Sequence, residues 1–178
     1  MAPDFLFVSD QLHLSAFRES DKSDLIHWLQ DEIVHQYTLH MPFPYGEKEA
    51  DEWLELTRKM EEKHACRPNW AIRNAEGRLI GGIGRSMHKG EENHWDEIGY
   101  WLAAPYRGKG VMTSVVDFFC RYWFEHSPLV RIEAAVFDIN PASARVLEKT
   151  GFEYEGRLRK KYFKNGRFLD GLMYGRLK

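Results

Sequence analysis

Between Trp101 and Val116 the chain reads WLAAPYRGKGVMTSVV. A strand-like apolar run passes through a basic, glycine-spaced turn and leaves as a helix pattern. The first amides of a helix lack internal acceptors and sit at the positive end of its dipole. An anion placed there gains several N–H bonds at once. Gly108 and Gly110 remove side chains that would keep a bulky pyrophosphate away, and Arg107 and Lys109 add charge. The turn also lies beyond the carboxyl end of a strand, where open α/β sheets take ligands. Two readings stand at this point, a tight surface turn or an anion cradle. The phosphate-loop pattern G-x-x-x-x-G-K-[ST] fits neither YRGKGVMTS nor GGIGRSMHKG. The dinucleotide pattern G-x-G-x-x-G fails because Thr113 stands in its last position.

Other reactive residue types show less pattern. The two cysteines, Cys66 and Cys120, have neither metal nor disulfide-framework spacing. Cys120 falls on the apolar side of its helix and reads as core. The eight histidines form no H-x-x-x-H pair, so no metal is expected.

The elements that must hold the turn follow from periodicity. Leu12–Phe17 alternates as a strand, and Ser20 and Asp21 offer caps for a helix carrying Leu25, Trp28 and Leu29. MPFPYGEKEA is a turn-rich aromatic loop. Ala50, Trp53, Leu54 and Thr57 then mark one face of a second helix. NWAIRN, RLIGGIGRSMH and HWDEIGYWLA read as three strands, the first two joined as a hairpin at Glu76-Gly77. GGIG lies inside a strand and reads as a bulge or a close backbone approach. After the turn, Met112, Val115, Val116, Phe119, Tyr122 and Trp123 form a broad apolar helix face. Arg131–Phe137 is a strand. Asn140 as N-cap, Pro141 at the first position and Gly151 past the end bound another helix. Two final strands turn at Asn165-Gly166. The sum is one α/β domain over residues 1–178, a mixed, mostly antiparallel sheet of about seven strands with helices on both faces. Its one strand–helix–strand unit should be parallel and right-handed.

Composition bounds the partners. Apolar residues make up 43% of 178, a globular proportion, and the formal net charge is -2. No global basic field is present, so no nucleic acid is expected, and binding one would need a local patch. No stretch approaches a membrane span or a signal peptide, which points to a cytoplasmic protein.

In these surroundings the turn resembles the acyl-CoA loop of the GNAT acetyltransferase superfamily, Q/R-x-x-G-x-G/A. Here it reads Arg107, Gly108, Lys109, Gly110, Val111, Met112. Met112 replaces the last small residue, as in the RimJ/RimL-type branch. DEIGYWLAAPYRGKG, RIEAAVFDINPASARVLEKTGFEYEGRLRK and LHLSAFRESDKSDLIHWL are similar to that branch in order and cover almost the whole chain.

The resemblance implies acetyl transfer from acetyl-CoA to a primary amine by direct attack in a ternary complex. A base must take a proton from the amine, and a donor must meet the oxyanion. Glu97 matches the family's catalytic glutamate; a solvated carboxylate pairing across the sheet is the alternative. Adjacent Asp96 points to the opposite face. Backbone near Trp101 and Leu102 is the implied oxyanion and pantetheine contact, where the family splays its sheet. The family's acid tyrosine is missing, with Leu147 in its place. Ser143 is the implied substitute, or else a helix-start serine satisfying a backbone amide. Tyr154 and Tyr162 are weaker alternatives. Asn140 both caps its helix and contacts the pantetheine arm. Glu133 contacts the acceptor amine, or pairs with a nearby arginine. Phe43, Tyr45 and His88 are wall candidates for the acceptor, with Met41, Met87, His94 and Phe163 nearby. The acceptor is a protein or peptide α-amine; the alternatives are a small amine, or a silent acyl-CoA-binding module. A monomer or homodimer is expected.

Overall fold

A computed structural model describes residues 3–64, 66–87 and 93–178. Among them are eight strands and five helices, and the sheet order is β1-β2-β3-β4-β5-β6-β8-β7. Backbone contacts divide the chain into two units. The first holds residues up to Arg85 and Tyr100–Lys109; the second holds Ser86–Gly99 and Gly110–Lys178. No described helix is long and apolar enough to cross a membrane.

In the first unit, β1 (Phe5–Ser9), β2 (Leu12–Ser15), β3 (Asn69–Asn74) and β4 (Leu79–Arg85) form an antiparallel meander. Strand β1 is an addition to the sequence reading and makes the strand count eight. The helices are α1 (Lys22–Leu29), α2 (Glu32–Tyr37) and α3 (Glu47–His64). Their apolar faces meet in one core of Leu25, Leu29, Val34, Ala50 and Leu54 against Ala71 and Leu79. GGIG serves close approach. A Cβ on Gly81 would sit 2.6 Å from the Trp101 carbonyl oxygen, and one on Gly82 2.7 Å from the Trp101 indole nitrogen. The register also shifts beside Gly81, so both expected roles are present.

Asp21 does not cap α1. Its carboxylate is buried and pairs with Arg73, with Oδ1 2.8 Å from Nη1 and Oδ2 2.8 Å from Nη2. Arg73 also donates to Ser15 Oγ, the Ala16 carbonyl and the Gly77 carbonyl. A buried guanidinium is tolerated because its charge and its donors are all matched. This one ties β2, β3 and the entry to α1 together.

In the second unit, the first residues of β5 (Trp95–Leu102) run parallel to β6 (Arg131–Phe137). Strand β8 (Arg167–Leu177) pairs antiparallel with β6, and β7 (Glu153–Lys164) closes the edge. Helix α5 (Pro141–Lys149) packs on α4 (Val111–His126), β6 and β7. Tyr174 bonds Glu148 of α5, and Arg176 pairs with Asp117 of α4. Both helices therefore cover the face of Ile132, Ala134 and Val136, which is buried. The opposite face carries Glu97, Arg131 and Glu133, and neither helix of this unit lies on it.

Removing one member of the buried pair leaves an uncompensated charge, so Asp21→Ala should cost about 3–5 kcal/mol of stability in urea unfolding. Arg73→Met in the same background should then cost much less than it does alone. Additive losses would show that the two groups are not coupled.

Candidate active site

The turn begins with a clamp. After β5, Ala104–Tyr106 form one 3-10 turn. Arg107 then donates from Nε to the Leu102 carbonyl, 2.8 Å, and pairs from Nη1 with Asp31, 2.8 Å. Asp31 also N-caps α2 through the Ile33 amide. The Arg107 charge, expected to serve the anion site, is thus spent on fastening the turn, because a half-buried guanidinium takes the nearest carboxylate. Asp31 escaped the sequence reading, although an Asp before Glu32 and an apolar pair is an N-cap signal. Lys109 is exposed and forms no ion pair among the described residues.

Gly108 and Gly110 have φ of 72° and 79°, left-handed values that favour glycine. A Cβ at either would meet no atom within 4 Å. Within the chain itself, then, these glycines answer a conformational need, and the space above them is open. Gly110 is the N-cap of α4 and no side chain caps that helix. Val111 is half-buried and Met112 is 7% exposed. The Met112 side chain enters the core, so its departure from the loop pattern leaves the loop surface unchanged and only its backbone faces the turn.

The strand before the turn changes partners. The β5–β6 ladder runs Trp95↔Arg131, Asp96↔Ile132 and Glu97↔Glu133, and no described pair extends it. On the other edge, Ser86 N donates to Glu97 O and Ala103 N to Ile80 O. By antiparallel alternation the odd residues of β5 turn their backbone toward β4 and the even ones away. The Leu102 amide is therefore turned away from β4. By the same alternation the Trp101 amide is turned toward it.

Glu97 is half-buried and stands beside Glu133 in the parallel register, both on the helix-free face. Glu133 pairs with Arg131, Nε to Oε1 2.6 Å, and Arg131 also pairs with Glu155. Those bonds hold the Glu155 carboxyl below its usual range and raise Arg131. The expected amine contact at Glu133 is thus corrected to the arginine pair. Asp96, as expected, points the other way and is 1% exposed. Its carboxylate accepts from the Met87 and Glu97 amides. It holds the backbone beneath Glu97, a role the sequence did not reveal.

Asn140 caps α5 by accepting from the Ser143 amide at 3.1 Å. Ser143 is half-buried in the first turn, and Leu147 is fully buried. Tyr154 is exposed on β7, and the Tyr162 ring lies 5.0 Å from Phe137. Phe43 is exposed beside His35, 5.3 Å away. Tyr45 is corrected as a wall residue. It is 2% exposed in the first unit's core, its hydroxyl donates to the Glu49 carbonyl, and burial raises its pKa. His88 lies outside the described residues. Burial pushes the Cys120 thiol up to about 12, so it is no nucleophile. No group of metal-ligating residues occurs among the described ones.

A family model described as an acetyltransferase (GNAT) domain matches residues 11–153. The chain belongs to the GNAT family. It is 31% identical over 150 residues to the uncharacterized N-acetyltransferase YokL, prophage-derived, of Bacillus subtilis (strain 168), covering 83% of this chain and 79% of that one. It is 31% identical over 103 residues to the ribosomal-protein-serine acetyltransferase of Escherichia coli (strain K12), covering 57% and 56%. The structure of RimL, a ribosomal L7/L12 alpha-N-protein acetyltransferase in complex with coenzyme A, superposes with a TM-score of 0.87. That match is 20% identical and covers 97% of each chain. This GNAT chain is an acetyl-CoA-dependent N-acetyltransferase with the mixed α/β fold of its family.

Alanine at Gly108 or Gly110 clashes with nothing but must adopt a left-handed conformation. Each substitution should destabilise the protein by about 1–2 kcal/mol in denaturant unfolding. A neutral result would mean that the turn takes another conformation.

Proposed function

We propose that this GNAT enzyme acetylates the α-amine of a protein or peptide N-terminus by direct attack in a ternary complex. One domain does this, in the cytoplasm; the family model runs through both units. The observation that carries the donor site is the left-handed, uncapped turn Gly108–Gly110 at the start of α4. It fits a pyrophosphate because its amides lack a side-chain acceptor and nothing fills the space where Cβ atoms would stand. Gly108, Lys109, Gly110, Val111 and Met112 hold the diphosphate through backbone amides, and Lys109 adds its ammonium. Acetyl-CoA supplies an activated thioester. The Leu102 amide, turned away from β4, hydrogen-bonds the acyl oxygen as charge develops there.

Glu97 serves as the base. An α-amine near pKa ~8 is largely protonated at neutral pH, so a carboxylate on the accepting face must take its proton, directly or through water. Ser143, in the first turn of α5, hydrogen-bonds the leaving sulfur and relays to it a proton from solvent water, so that its own hydroxyl is restored, while the amine proton leaves Glu97 to solvent. The helix-free face around Glu97 admits a polypeptide end, and the likeness to ribosomal-protein acetyltransferases supports that acceptor class.

Glu97→Gln should lower kcat by about 10²–10⁴-fold at every pH while acetyl-CoA affinity holds. Full activity across the pH range would remove Glu97 as base. Gly110→Glu should abolish acetyl-CoA binding in calorimetry, and unchanged affinity would refute the loop assignment. On an acceptor panel, peptides with free N-termini should show higher kcat/KM than polyamines or lysine side chains. The reverse order would assign a small-amine acceptor.

A further inference from the structure

The β7–β8 hairpin concentrates charge that the whole-chain balance hides. From Gly156 to Leu169 the sequence is GRLRKKYFKNGRFL, with six cations and no acid. The ladder skips from Leu158↔Gly171 to Tyr162↔Leu169, so Arg159, Lys160 and Lys161 all stand opposite Asp170. A bulge of this kind re-aims side chains out of the sheet. It is fitted to Gly171, where a Cβ would lie 2.9 Å from the Tyr162 ring. Asp170 is already engaged by the Arg157 guanidinium and by the Lys160 amide. Lys164 is turned inward and buried, and burial lowers its pKa. That leaves Arg159, Lys160, Lys161 and Arg167 exposed and without an ion pair among the described residues.

Two aromatic rings sit among these cations. Phe163 and Phe168 are 62% and 60% exposed, side by side at 5.0 Å across the hairpin. The Lys160 ammonium lies 5.7 Å from the Phe168 ring centre. Two adjacent exposed rings make a small apolar patch, and here it is rimmed by these cations. An acidic polypeptide would match the cations but has no need of open ring faces. A duplex keeps its bases stacked inside. An unpaired strand offers both a phosphate backbone and free base faces.

We propose that this hairpin is a docking surface for single-stranded RNA, with Phe163 and Phe168 stacking bases and Arg159, Lys160, Lys161 and Arg167 holding phosphates. The proposal does not rest on the acetyl-transfer reading, so either can fail alone. The test is fluorescence anisotropy with a labelled, unstructured 12-nucleotide RNA, a duplex of the same length and a poly-glutamate peptide, each titrated with salt. The RNA should bind the full chain at low salt, with a log–log salt slope of about −2, as about three phosphate contacts require. Phe163→Ala/Phe168→Ala should weaken it at least about tenfold. Lys160→Gln/Lys161→Gln should flatten the slope, and thermal melts should show all variants folded. No RNA binding at low salt would overturn the proposal. So would binding that ignores the phenylalanines, or poly-glutamate bound as tightly as RNA.

Discussion

Positive φ at Gly108 and Gly110 is the constraint on which the proposed donor site depends. After the 3-10 turn Ala104–Tyr106 the chain enters helix α4 at Val111, and left-handed backbone at Gly108 and Gly110 makes that last bend. What distinguishes this helix start is the missing cap. Asp31 caps α2 and Asn140 caps α5, each through its own carbonyl-type oxygen. Helix α4 begins on a glycine with no side chain to satisfy its first amides. A glycine start forgoes roughly a few tenths of a kcal/mol that a Ser or Asp cap would have recovered. Tolerating that loss makes sense where a ligand anion supplies the cap. The Arg107 clamp on Asp31 and the Leu102 carbonyl holds the turn rigid before any ligand arrives, so little ordering cost falls on binding.

The sequence was most legible where one face is buried and the other is not. Strand β6 and helices α3 and α4 appear where their periodicity puts them. Strand β1 has no buried residue at all, and Phe5 and Phe7 are both exposed. Leu6 and Val8 on its inner side are only half-buried, and the run FLFV shows no alternation of residue type. Helix α2 is six residues long, too short for a period to show. The turn and its glycines were legible because a left-handed conformation restricts residue type locally. Ion-pair partners were not. Nothing local links Arg107 to Asp31 or Arg73 to Asp21, since folding alone brings those segments together. Tyr45 misled for the same reason: an aromatic in a proline-rich loop looks like a wall until its neighbours are known.

Buried carboxylates do different work in the two units. Asp21 answers a fixed positive charge, and its value is cohesion. Asp96 answers backbone amides, those of Met87 and Glu97. Met87 has φ of 64°, uncommon for a side chain of its size, and the Asp96 bonds hold it there. Because Asp96 and Glu97 are consecutive on a strand, fixing one inward fixes the other outward. The side of the strand on which the proposed base stands is thus set by its buried neighbour.

The departures from the family pattern fall on the core side. Met112 is 7% exposed and Leu147 is fully buried, so both side chains are absorbed by packing. For the loop this costs nothing, because the loop acts through backbone. For the acid it matters, because a buried leucine cannot donate a proton. Of the hydroxyls on α5 and its cap, Thr150 is buried and bonds the Val146 and Leu147 carbonyls. The other hydroxyl, Ser143, stands in the first turn, where the dipole favours negative charge nearby. In the proposed mechanism, a leaving thiolate beside that helix end would be partly stabilised by it, so a weak donor such as a serine, or water, would meet the remaining need.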